Sequence, residues 1–280
     1  MCYTVRIIRE FTMYTQKEVA NNYTLIAQNK TSAKWYRTLL LAVFAGAFIA
    51  VAGLTATIAG AAYEGIQATL VKAAVFPVGL ILVVLTGSEL FTGNNLLLAP
   101  VLSKDVKFTA MLKNLGIVYG GNLIGSVLIA VIAVYCGAMN DGVYSAAIAC
   151  AAAKCETAFY EALLRAIPCN ILVCFAVWIS MTSKNAAGKV LAVYMPIFAF
   201  VVCGFEHSVA NMYYMTAGLL ALAKTGAAAA SLTVGNALLY SLLPTTIGNM
   251  IGGMVCVALP LWLIHFRRSK REDATTSTEV

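Results

Sequence analysis

The chain has 280 residues, of which 61% are hydrophobic and only 11% charged, with a formal net charge of +7. Soluble domains carry about a quarter charged residues, so this composition excludes one. The length suits a single membrane domain of about six spans, with no second folded domain. The positive charge does not argue for a nucleic-acid partner, because no solvated basic domain exists to carry it.

In chain order, residues 1–37 form a basic segment expected on the cytoplasmic side. No short apolar core with a small-residue cleavage site follows its charged start, so no cleaved signal peptide is read. Between Phe11 and Asn29 the apolar Tyr23 and Ile26 fall at helical spacing, which predicts an amphipathic helix lying on the inner membrane face. Six spans follow, at about 38–60, 74–102, 114–138, 161–183, 190–217 and 232–266, within a transmembrane domain of residues 38–268. Residues 269–280 are too polar to bury and are expected to be a disordered cytoplasmic tail.

The loops set the orientation. With the N-terminus inside, the inner segments hold Arg6, Arg9, Lys17, Lys30, Lys34 and Arg37, then Lys104, Lys107 and Lys113, then Lys184 and Lys189, and finally Arg267, Arg268, Lys270 and Arg271. Only Lys72, Lys154, Arg165 and Lys224 remain outside. An excess of basic residues marks the cytoplasmic side, so both termini are expected there.

The second and fifth spans contain matching breaks. Gly87-Ser88-Glu89-Leu90-Phe91-Thr92-Gly93-Asn94 and Gly204-Phe205-Glu206-His207-Ser208-Val209-Ala210-Asn211 both read G-x-E-x-x-x-small-N. A second repeat, G-N-x-I-G, occurs at Gly121–Gly125 in the third span and Gly248–Gly252 in the sixth. Each half therefore holds three spans, and an odd number of crossings inverts the second half relative to the first. Polar breaks in corresponding apolar segments point to a transport pathway with its site at the midplane. The predicted fold is an all-α membrane protein, six helices in two inverted three-helix repeats, with the second and fifth helices broken.

Within the apolar cores the ionisable side chains are Glu89, Glu206 and His207, all inside the breaks. An ionisable group at this depth is a functional-site hypothesis. Glu89 and Glu206 occupy equivalent positions, and a feature needed twice is more readily architectural. Each carboxylate is expected to accept from freed backbone N–H groups of its loop. Asn94 and Asn211 end the two breaks, and Asn122 and Asn249 are buried amides that need partners. His207 has no repeat counterpart, since Leu90 stands at its position, and it is the better candidate for chemistry. The bland alternative makes it a neutral residue tying helices together through Asn249. New helices starting near Gly93 and Ala210 present unpaired N–H groups, and Thr92 and Ser208 add hydroxyls, a set that favours a small anion or its neutral acid over a cation.

No metal or cofactor site is read. The eight cysteines include no C-x-x-C and are scattered in or near apolar segments. A disulfide between Cys150 and Cys155 stays open. An enzyme is not expected: Glu206 and His207 are adjacent, so on one helix they would point about 100° apart, and no nucleophile accompanies them.

These stretches, with Phe205–Met212 reading F-E-H-S-V-A-N-M, Cys169-Asn170-Ile171-Leu172-Val173-Cys174 followed by Trp178, and Gly248-Asn249, closely resemble the formate–nitrite transporter family over about residues 20–268. The resemblance implies an aquaporin-like protomer, a homopentamer with one pore per subunit in the membrane lipid, and passage of formate, nitrite, hydrosulfide or related weak acids. Residue by residue, it makes His207 the central pore histidine, with Thr92 in the first break and Asn170 facing the pore. It places Leu80 and Phe200 at the cytoplasmic constriction and Leu90, Phe91 and Val173 at the opposite one or its loop. Lys154 becomes a basic residue of the external vestibule, within a segment, 137–161, read as a loop. A bacterial inner membrane is the expected location. A hydrosulfide channel of the same family, or a neutral-solute or ammonium channel, remains the alternative.

Overall fold

The computed structural model describes residues 13–266, and all regular structure among them is helical. The predicted disorder of 269–280 lies outside the described residues. Helix α1 is Gln16–Ser32, α2 is Trp35–Gly60 and α3 is Gly65–Thr86, interrupted by a turn at Phe76–Pro77. The first break follows. Beyond it α4 runs from Phe91–Asn94 through a tighter 3₁₀ turn, Asn95–Leu97, into Leu98–Leu102. Then come α5 (Phe108–Tyr135), α6 (Asp141–Glu156), α7 (Phe159–Ser180), α8 (Ala186–Val202), α9 (Ser208–Thr225) and α10 (Val234–Phe266). Helices α2, α3, α5, α7 and α10 are long and apolar enough to cross a bilayer, with mean hydropathy between 1.9 and 2.4.

The elements follow the expected spans with three differences. The second span, expected at 74–102, starts earlier, at Gly65. The fifth, expected at 190–217, runs through α8 and α9 to Thr225. The segment read as a loop at 137–161 holds the 16-residue α6. Its alanines supply high helix propensity, and the Asn140 side-chain oxygen caps the first turn by accepting from the Val143 N–H at 3.0 Å. Val143, Ala147 and Ala151 are buried, and α6 packs against α9. At 16 residues it is too short to read as an apolar span, and its small alanines gave it no strong apolar signal. Cys150 and Cys155 lie on α6 as free thiols.

Close helix contacts are made where side chains are smallest. In the α2–α5 contact a side chain at Gly125 would fall on the Val43 carbonyl oxygen; in the α7–α10 contact one at Gly252 would fall on that of Ile167. Both glycines end the G-N-x-I-G repeat, so its glycines serve backbone approach, as small residues do between membrane helices. Helix α10 widens into i→i+5 bonding at Ala237–Leu242, Ile251–Ala258 and Trp262–Phe266, flanking the α-helical Leu243–Met250 that carries Asn249.

Helix α1 faces the protein. Val19, Ala20, Tyr23 and Ala27 are buried on it. Tyr23 meets Trp178 edge-on at 6.2 Å, and the Trp178 indole N–H donates to Gln16 Oε1 at 2.7 Å. Tyr23 therefore does not share an outward face with Ile26, which is exposed: the ring has an aromatic partner inside the fold.

The N-terminus of α1 is a capping box. Thr15 N–H donates to Glu18 Oε2 at 2.8 Å, and Glu18 N–H donates to Thr15 Oγ1 at 3.3 Å. The backbone and hydroxyl donors of Thr15, with the Lys184 charge, hold the Glu18 carboxyl below its usual value. A depressed folded pKa stabilises α1 above the ordinary Glu value of about 4.3, and the contribution is lost as pH falls through the folded value. Amide exchange in the first turn of α1 should accelerate, relative to intrinsic rates, as pH is lowered below about 4. Glu18→Ala should show the accelerated rate already at neutral pH and little further change.

Candidate functional site

The two breaks are built alike. Gly87 ends α3 and Gly204 follows α8, with φ of 67° and 65°, a left-handed geometry that glycine adopts without strain. The chain then extends for a few residues before α4 and α9 begin. Extended backbone at membrane depth leaves polar groups that must be bonded internally. Asn122 on α5 does this for the first break: its Nδ2 donates to Ala42 O at 2.8 Å and Glu89 O at 2.9 Å, and its Oδ1 accepts from Phe91 N–H at 2.9 Å. Asn249 on α10 does the same for the second, donating to Ala166 O at 2.7 Å and Glu206 O at 2.9 Å and accepting from Ser208 N–H at 2.8 Å. The Glu89 N–H reaches Leu41 O, and the Glu206 N–H reaches Arg165 O, each at 3.2 Å.

The two carboxylates also match, though not in the way expected. Neither takes backbone N–H groups. Glu89 accepts from Lys30 Nζ at 2.9 Å and from Asn94 Nδ2 at 2.5 Å. Glu206 accepts from Lys154 Nζ at 2.7 and 2.6 Å and from Asn211 Nδ2 at 2.7 Å. Asn94 continues to Asn114 at 2.9 Å, and Asn211 to Ser241 at 3.1 Å. Both glutamates are buried, and a buried charge requires an opposite charge plus neutral donors. The backbone N–H groups are already committed elsewhere, so lysines arrive from outside the spans: Lys30 from α1, Lys154 from α6. The resemblance brought Lys154 to attention, but Lys30 went unnoticed. The signal was present, since two equivalent buried carboxylates require two cations.

His207 connects the breaks. Its Nε2 lies 2.9 Å from Thr92 Oγ1. Its Nδ1 accepts the Ala210 N–H at 3.2 Å, capping α9. A nitrogen that accepts an N–H bears no proton, which assigns the neutral tautomer with the proton on Nε2. The bond to Asn249 considered from sequence does not form, because Asn249 is committed to its own break. Asn170 Nδ2 donates to Thr92 O at 3.2 Å and to Asn249 O at 2.7 Å. Asn170 Oδ1 and Ser208 Oγ are buried and have no protein partner. Near Asn170, across Gly253, sits Asn95, whose amide is likewise unpartnered and which the sequence did not single out.

Apolar side chains border this polar cluster. The Phe200 ring is 6.2 Å from the His207 ring and meets Phe76 edge-on at 5.7 Å. Leu80 and Leu90 instead line a cavity of ≈ 990 Å³, together with Lys30, Glu89 and Asn94. Phe200 does not line that cavity, though it shares one buried apolar cluster with Leu80 and Leu90. Phe91 packs on Tyr119 at 4.9 Å, and Val173 is buried. Phe76 was missed, although it precedes Leu80 by one helical turn.

An all-helical bundle whose two broken helices meet at a buried histidine defines a membrane transport protein. A profile of the formate/nitrite transporter family matches residues 17–263. The chain belongs to that family, whose members are transporters and channels and not enzymes, and it is an integral membrane protein. It is 34% identical over 272 residues to a probable formate transporter of Methanothermobacter thermautotrophicus, covering 89% of this chain and 96% of that one. It is 33% identical over 250 residues to the formate channel FocA of Escherichia coli K12, covering 83% and 88%. Among solved structures it superposes on an FNT family ion channel with a TM-score of 0.78 at 27% identity, covering 89% and 98% of the two chains. It superposes on a pentameric formate channel with formate bound with a TM-score of 0.72 at 32% identity, covering 83% and 98%.

The buried Lys154–Glu206 pair yields a stability prediction. Lys154→Met strands the Glu206 carboxylate and should cost about 3–5 kcal/mol. Adding Glu206→Gln should recover most of that loss. Thermal denaturation of detergent-solubilised protein, comparing the single with the double variant, measures the difference.

Proposed function

We propose that this protein is a homopentameric channel for formate and similar small monovalent anions, with one pore per subunit centred on His207. The observation that carries this is the His207–Thr92 contact, which joins the two breaks between the Phe76–Phe200 pair and the Leu80–Leu90 cavity. The pentameric formate channel whose structure it resembles supports the assembly and the substrate. In this reading α2, α3–α4 and α5 form one half and α7, α8–α9 and α10 the other, inverted in the membrane. The equivalent bonding of Asn122 and Asn249 supports that symmetry. The basic-residue distribution supports cytoplasmic termini.

The mechanism follows from the polarity sequence along the pore. Basic vestibules raise the local anion concentration. Lys154 serves at one mouth and Lys30 at the other, each held by a glutamate. Apolar rings on both sides of the centre exclude water and strongly hydrated ions, because stripping hydration is costly. A bare anion in that dry section is disfavoured, and low dielectric raises its proton affinity. The polar centre compensates. His207 Nε2–H can turn from Thr92 to the substrate, with the Thr92 and Ser208 hydroxyls and the Asn170 amide beside it. In this role His207 controls whether the substrate passes as anion or as neutral weak acid.

Two measurements test the reading. Formate flux into proteoliposomes at several values between about pH 5 and 8 should show a steeper pH response for wild type than for His207→Asn, with the variant still eluting as a pentamer. Identical profiles would reduce His207 to a helix-tying residue. Phe200→Ala or Leu80→Ala should raise flux severalfold and weaken selection of formate over chloride, since each removes bulk from an apolar ring. Competition by nitrite and hydrosulfide in the same assay ranks the permeant anions.

A further inference from the structure

Helix α3 is built in two pieces, and Phe76 belongs to the first. Its N–H donates to Lys72 O at 3.0 Å, and its φ and ψ of −61° and −31° keep it in the last turn of Gly65–Val75. Pro77 supplies no N–H to continue the ladder, and the second piece starts at Val78. The ring of Phe76 is thus carried by the piece that precedes the turn. Its partner Phe200 is carried by α8, which stays helical from Ala186 to Val202 with Pro196 inside it. The two rings meet at 5.7 Å. Their spacing is therefore set by how the first piece of α3 sits against α8.

A polar contact joins the same two segments. The Tyr194 hydroxyl on α8 donates to Ala74 O on α3 at 3.0 Å. Carbonyls in the last turn of a helix have no N–H four residues on, and at membrane depth water cannot replace it. Ala74 O is such a carbonyl, two residues before Phe76. One bond therefore ties the helix that carries Phe200 to the turn that carries Phe76. It does so from outside the constriction: Ala74 is exposed and Tyr194 half-buried, whereas both phenylalanines are buried. The Tyr194 ring is held independently of its hydroxyl, stacked on Phe198 with centroids 6.2 Å apart and planes at 20°.

We propose that Tyr194 is a positioning residue for the Phe76–Phe200 constriction, its hydroxyl fixing the separation of the two rings through Ala74 and so the selection among anions. This rests on the channel reading above and adds to it a specificity-determining residue that does not touch the permeant. Because the bond lies outside the constriction, its loss changes no pore-lining atom directly, and any change in selectivity passes through the rings.

The test uses full-length protein in proteoliposomes, with formate and chloride fluxes measured for wild type, Tyr194→Phe, Phe76→Ala and the double variant. Tyr194→Phe keeps the stack on Phe198 and removes only the oxygen. It should lower the formate-to-chloride flux ratio roughly two- to fivefold, chiefly by raising chloride flux. The same substitution on the Phe76→Ala background should change the ratio no further, because the hydroxyl acts through the ring that is gone. Should Phe76→Ala yield no pentamer, Phe76→Leu takes its place in the cycle. An equal fall on both backgrounds would overturn the assignment. So would a Tyr194→Phe protein of lower thermal stability with the wild-type ratio, which would reduce the hydroxyl to a cap on a loose carbonyl. Wild type that passes no anion would overturn the channel reading, and this assignment with it, so the two failures are distinguishable.

Discussion

Each break places several peptide N–H and C=O groups at membrane depth, where water cannot satisfy them. The structure meets that constraint twice with a single asparagine. A carboxamide has an acceptor and two donors on one rigid plane, which suits a segment that must be pinned through both carbonyl and N–H groups. Asn122 and Asn249 each bind the break, its carbonyl at the glutamate and the next N–H at the start of the new helix, and also hold a neighbouring helix. The glycines beside them follow from the same requirement. The amide reaches across only if the helices nearly touch, and Gly125 and Gly252 permit that approach.

A second layer of compensation surrounds the first. Glu89 and Glu206 are satisfied by Asn94 and Asn211 within the breaks and by lysines from α1 and α6. These two helices lie outside the spans long and apolar enough to cross a bilayer, yet each delivers a cation to the end of a broken helix. Helix α1 is consequently part of the fold, fixed by Gln16 on Trp178 and by Tyr23 against the same indole. The division between architecture and chemistry then becomes physical. The paired glutamates and asparagines hold the breaks in place, and His207, which stands where the first break has the apolar Leu90, adds an asymmetric polar contact with Thr92.

The sequence by itself determined the class, the spans and the breaks. A run of apolar residues long enough for a bilayer needs no tertiary information, and neither does the cost of Glu89, Glu206 or His207 inside one. The shared motifs also set Glu89 and Glu206 at equivalent positions and left His207 without a histidine counterpart. Partner choice was decided only by the tertiary structure. Lys30 is 59 positions from Glu89, and Lys154 is 52 from Glu206, distances over which no local pattern operates. His207 met Thr92 and not Asn249 because the amide was already saturated by backbone groups, a competition invisible in one dimension. Helix α6 lacked the apolar signal of a span and is held by packing on α9. Phe76 meets the Phe200 ring, and Leu80 lines a cavity with Leu90, partners that arrive from other parts of the chain. Hydrophobic burial is additive along a sequence and can be read from it, whereas the pairing of polar groups depends on which donors and acceptors remain free once the helices have packed.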